Sequence, residues 1–190
     1  MSLLGHNNGP TLEAGFAWRK HSWAKARKEL LPNLPIEILR GRVKRAKALG
    51  LPYKTYASVR AASGHDVVGF LFSNNALRML NNAQSVPLDR VEALKAADAA
   101  FVTLVHRPVD PGVLSEHLSA LGIAMATGVA PHFADAWSEI AARVKQPLID
   151  AKLPRDGVLV IGDTDHERDW STAGKLAGYL RSDQYFGAWV

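Results

Sequence analysis

Three short apolar runs constrain this chain more than any other feature: residues 67–72 (VVGFLF), 100–105 (AFVTLV) and 157–162 (GVLVIG). Each is strand-sized, and none alternates apolar with polar positions. A strand that lacks alternation is buried on both faces, as in a parallel sheet covered by helices. The segments between the runs carry helix signals. Ser73 is placed to cap a helix over 73–81, Pro87 opens one to about residue 97, and Pro111 opens one to about residue 121. A further helix is expected over 131–144, with Phe133, Trp137 and Ile140 toward the core. A last helix is expected from the end of the third run to about Arg181, with Trp170, Ala173, Ala177 and Leu180 as its apolar face. Residues 123–126 offer one more short strand. This alternation predicts an α/β fold: a small parallel or mixed sheet of about 3–4 strands flanked by helices, with an N-terminal helical module.

The first third of the chain has a different pattern. Residues 1–11 (MSLLGHNNGPT) show no periodicity and read as a flexible leader. Phe16, Trp23, Ala26 and Leu30 recur at helical spacing, so a helix is expected over 12–31. Pro35 and Glu37 suit the start of a second helix, and Gly50 suits its end. Ile36, Leu39, Val43 and Ala46 form an apolar stripe along it, with Arg40, Lys44 and Lys47 on another face. A third helix is expected from about Tyr53 to Ala62. The organisation expected is a leader (1–11), a basic helical module (12–64) and an α/β domain (65–190). A chain of 190 residues suits one main core with an appended arm.

Charge divides the same way. Residues 1–60 hold twelve Lys and Arg against three Glu, a net +9, which leaves −4 for the other 130 residues of a chain whose total is +5. A basic module joined to a near-neutral body points to a polyanionic partner, either nucleic acid or an acidic protein. Residues 44–60 carry helix–turn–helix features: Ala46 and Gly50 four apart at the turn, Leu49, Leu51 and Val59 for the contact between helices, and Tyr53, Lys54, Tyr56, Ser58 and Arg60 along a groove-facing second helix. The residues expected to contact phosphate are Arg40, Arg42, Lys44, Arg45, Lys47, Lys54 and Arg60.

The densest polar segment is 163–169 (DTDHERD), where the third strand should end. Ligands collect at such edges in parallel sheets. In an extended segment Asp163, Asp165, Glu167 and Asp169 would face one way and attract a divalent metal such as Mg²⁺ or Ca²⁺. The sequence Thr164-x-x-Glu167 also spells a capping box, which would place the same carboxylates on the first turn of a helix. His106, after the second strand, could join Asp163 as a general acid–base pair. The alternative site is therefore His106, Asp163 and Asp165, with Asp163 and Asp165 as metal ligands in a small hydrolase or phosphoryl-transfer enzyme. Ser73, Asn74 and Asn75 would offer an anion a helix N-terminus after the first strand.

Several chemistries have no support. The chain contains no cysteine, which removes disulfides, thiolate metal sites and cysteine nucleophiles. It has no phosphate-binding Gly-x-x-x-x-Gly-Lys loop, no Gly-x-Gly-x-x-Gly, no Gly-x-Ser-x-Gly and no His-Glu-x-x-His. No apolar run approaches the ~20 residues of a membrane span, and no secretory signal opens the chain, so a cytoplasmic protein with no membrane association is expected.

Overall fold

A computed structural model describes residues 34–189. The expected leader and the helix over 12–31 lie outside the described residues. The chain divides into two units, 1–39 and 40–190. In the first, the described residues open helix α1 (Ile36–Ala48). The second is an α/β body. In chain order it contains the rest of α1, α2 (Tyr53–Ser63), β1 (Gly69–Ser73), α3 (Leu88–Ala96), β2 (Ala100–Val105), α4 (Pro111–Ala120), β3 (Ala126–Val129), α5 (Trp137–Asp150), β4 (Val158–Gly162), α6 (Asp165–Gly174), β5 (Gly178–Arg181) and α7 (Ser182–Phe186).

The sheet has five strands, all parallel, in the order β3-β2-β1-β4-β5. Five replaces the expected three or four. The three long runs became the central strands β2, β1 and β4. The edges are two four-residue strands, ATGV and GYLR. β3 lies over 126–129, just after the short strand expected at 123–126. β5 falls where the last helix was expected to continue. That helix stops at Gly174, Lys175 takes a left-handed φ of 54°, and the chain re-enters the sheet at Gly178. Leu180 is consequently a sheet residue, and Ala177 lies in the bend just before β5.

Side chains of the central strands alternate between two cores. Phe70, Phe72, Leu159 and Ile161 join a cluster with α1 to α4 and α7. Leu71, Val102, Leu104, Val158 and Val160 join Ile140, Val144 and Leu148 of α5 and Trp170 and Ala173 of α6. This period-two division with helices on both faces is what continuous apolar strands require. Ala46, Leu49, Leu51 and Tyr56 belong to the first cluster, so the hairpin from Arg40 onward is seated on the sheet. Tyr185 and Phe186, from the aromatic tail, are buried in that cluster.

Two other helix expectations change. Residues 74–77 form turns rather than a helix capped by Ser73. The Ser73 hydroxyl still accepts from Ala76 N at 3.0 Å, but Asn74 Nδ2 donates to Met79 O at 2.8 Å. Local side-chain bonds of this kind compete with a helical ladder. The helix expected over 131–144 begins at Trp137 instead and reaches Asp150. Of its expected core residues, Ile140 is buried, but Phe133 and Trp137 are 79% and 53% exposed.

Among the described residues, no helix is long and apolar enough to cross a membrane.

Candidate functional site

The chain leaves β1 toward β2 and β3 on one side, and β4 and β5 fill the other. The C-terminal ends of β1 and β4 therefore flank the point where the strand order reverses, the usual ligand crevice of open parallel sheets. Polar side chains from four segments meet around it.

Glu167, on the first turn of α6, is fully buried. Its Oε2 accepts from the backbone N of Asp163 at 2.6 Å and of Thr164 at 3.0 Å, while the Thr164 hydroxyl accepts from Glu167 N at 3.2 Å. This is the capping box. Its Oε1 faces His106 Nε2 at 3.1 Å and accepts from Asn75 Nδ2 at 2.9 Å. Burial alone would raise the carboxyl's pKa. The bonds from His106, Asp163 N, Ser73 and Thr164 N outweigh burial and lower it to about 2. An ionised carboxylate accepts only, so His106 donates through Nε2 and is left with Nδ1 as its second nitrogen. The His106 ring also stacks on Trp170, with centroids 5.2 Å apart.

Gly162 makes this closeness possible. A Cβ at that position would stand 2.7 Å from Glu167 Oε2 and 2.9 Å from Glu167 Cβ. Only a residue without a side chain lets the α6 carboxylate close onto the end of β4.

The expected pairing of His106 with Asp163 is not what forms. β1 lies between their strands, and each takes a different partner. Asp163 binds Arg78 Nη1 at 2.9 Å and accepts from the Ser182 hydroxyl. Asp165 is 89% exposed and pairs with Arg168 at 2.9 Å, one helical turn on. The alternation expected of 163–169 is absent because the segment is helical from Asp165. Among the described residues, no three His, Asp or Glu side chains converge as a metal site. Asn74 and Asn75 turn inward instead of presenting a helix N-terminus, and Asn74 Oδ1 accepts from His106 N at 2.7 Å. Arg78 and Ser182 carried no signal in the sequence. Ser182 lies in a stretch that read as the end of a helix.

The basic hairpin forms the second cluster. α1 ends in a Schellman turn: Leu51 N donates to Ala46 O at 2.9 Å and Gly50 N to Lys47 O at 3.0 Å, with Gly50 at φ 69°. α2 follows at once. From Arg40 to Gly64 there are seven Lys and Arg and no Asp or Glu. Arg45 binds Asp98 Oδ2, Asp98 O and Val67 O, each at 3.0 Å, and Asp66 at 3.4 Å. Arg60 pairs with Asp66 at 3.3 Å. These two cations fasten the hairpin to the body. Arg42 is half-buried, and its Nε is sealed from solvent without an acceptor. Arg40, Lys44, Lys47 and Lys54 are exposed. Tyr56 does not decorate the outer face of α2. It is buried, and its hydroxyl donates to Asp66 Oδ1 at 2.6 Å. The exposed face of α2 consists of Lys54, Ser58, Ala61 and Ala62.

No protein-family model, curated protein or solved structure matches this chain.

Proposed function

We propose that the protein binds nucleic acid through the hairpin of α1 and α2. The observation that carries this reading is a folded, carboxylate-free hairpin, residues 40–64, whose Lys44, Lys47 and Lys54 are exposed beside Arg40. Arg40, Lys44 and Lys47 recur at i, i+4 and i+7, so they share one face of α1. That row can follow a phosphate backbone, while the outer face of α2, made of small side chains and Lys54, is smooth enough to approach a groove. Arg45 and Arg60 anchor the hairpin from beneath, so their role in binding is to hold the row in place.

The test is titration of the full chain into a labelled 20-bp DNA duplex, followed by fluorescence anisotropy, at two salt concentrations. Three phosphate contacts give a slope of roughly −2.7 in log affinity against log salt, which is about a 40-fold loss from 50 to 200 mM. The triple variant Lys44→Glu, Lys47→Glu, Lys54→Glu should lose binding and keep its melting temperature. Undiminished affinity in that folded variant rejects the reading. An acidic protein partner is the outcome if the wild-type protein ignores both DNA and RNA and the same lysines govern capture of a polyglutamate.

A further inference from the structure

Beyond the ends of β2 and β3 lies a cavity of about 550 Å³, within the ~300–1,000 Å³ usual for small-molecule sites. Its walls come from the β2 end (His106, Arg107), the β3–α5 connection (His132, Phe133, Asp135), α5 (Arg143) and the first turn of α6 (His166). Its donors are in excess of its acceptors. Asp135 is the one carboxylate lining it, and its Oδ2 is already taken by His132 N at 2.9 Å and Arg143 Nε at 3.2 Å. The Arg107 guanidinium and the two Nη groups of Arg143 have no acceptor among the described residues. His132 Nδ1 accepts from Ala134 N at 3.2 Å, so the neutral ring carries its proton on Nε2 as one more donor. His166 Nε2 lies 3.1 Å from Pro131 O, a carbonyl that can only accept, so this ring is fixed as a donor there. His106 is fixed in the same sense by Glu167.

We propose that this cavity binds the phosphate group of a small phosphomonoester, with Arg107, Arg143 and His132 as the donors. Two guanidinium groups against one engaged carboxylate favour an anion, and the number of donors suits the three terminal oxygens of a phosphate better than the two of a carboxylate. Phe133 lines the cavity yet is 79% exposed, which places an apolar surface where the organic part of the ligand would leave the phosphate. The His106–Glu167 pair is a positioning element here: it ties the wall of the cavity to the buried start of α6. The site is separate from the hairpin and does not depend on the nucleic-acid reading.

The experiment is calorimetric titration of the full chain with glucose 6-phosphate, inorganic phosphate, glucose and citrate. Saturable binding of glucose 6-phosphate and of phosphate is expected, with none of glucose and weaker binding of citrate. Arg107→Gln and Arg143→Gln should each weaken glucose 6-phosphate about tenfold or more, with melting temperatures near wild type. The Lys44, Lys47, Lys54 charge-reversal variant should bind it as well as wild type does. The proposal is overturned if neither phosphate probe shows binding up to about 10 mM. It is also overturned if citrate binds as tightly as glucose 6-phosphate, or if the two arginine variants bind unchanged.

Discussion

His106 Nε2 and Glu167 Oε1 lie 3.1 Å apart and join the end of β2 to the first turn of α6 across the end of β1. One buried carboxylate thereby caps its own helix, receives Asn75 from the turn after β1, and orients the imidazole at the cavity wall. This single side chain links the two sides of the sheet at its C-terminal edge.

Acid should release that contact. The Glu167 carboxyl titrates near 2 in the folded chain and near 4.3 when unfolded, so the stabilisation is complete above about pH 4.5 and fades as pH falls toward 2. Glu167→Gln should lower stability at pH 7 by on the order of 3 kcal/mol. The gap to wild type should narrow as the pH approaches 2. Urea midpoints across that range measure it, and a gap independent of pH would contradict the assignment.

Gly162→Ala should cost about 1–3 kcal/mol, because the added methyl group would meet Glu167 Oε2 at 2.7 Å. In a Glu167→Ala background the same substitution should cost less, since the 2.7 Å clash with Oε2 is gone, while the contacts with the position-167 Cβ at 2.9 Å and Tyr179 Cε2 at 3.0 Å remain. Chemical denaturation of the two single variants and the double variant closes the cycle.

The cations of the hairpin should separate into two groups in a stability scan. Arg45→Ala removes bonds to Asp98 and to Val67 O together with the contact to Asp66, and should cost about 1–3 kcal/mol. Lys44→Ala should change stability by no more than about 0.5 kcal/mol. Equal effects would mean that both residues serve the fold.

The reverse ranking should appear in binding. Each of Lys44→Ala, Lys47→Ala and Lys54→Ala should reduce the salt slope of DNA affinity by about 0.9, the yield of one phosphate contact. The slopes come from anisotropy titrations at several salt concentrations.

Much of this architecture could be read from the residues, and the boundary of what could be read is physical. The three central strands are buried on both faces, so VVGFLF, AFVTLV and GVLVIG stand out as unbroken apolar runs. The edge strands are four residues each and carry Thr127 and Arg181, because an edge meets solvent, and Gly128, where a Cβ would stand 2.8 Å from Pro147 Cγ. GYLR therefore looked like the continuation of a helix whose apolar spacing it happens to extend. The capping box at Thr164 and Glu167 was legible because it is local. Its tie to His106, 61 positions away, depends on strand order, which spacing does not encode. The turn after Ser73 is not legible in the sequence, because Asn74 and Asn75 are compatible with a helix start until their side chains find Met79 O, His106 N and Glu167. Arg45 and Arg60 were indistinguishable in sequence from Lys44 and Lys47. Only the positions of Asp66 and Asp98 separate them.

The seat of the basic hairpin includes Tyr185 and Phe186, and Tyr185 follows Leu49 by 136 positions. At ordinary translation speeds of about 5–20 residues per second, the hairpin leaves the ribosome on the order of ten seconds before those two rings. During that interval the inner faces of α1 and α2 lack the part of their packing that Tyr185 and Phe186 supply. The complete seat of the hairpin therefore forms only once the aromatic segment, far along the chain, has been made.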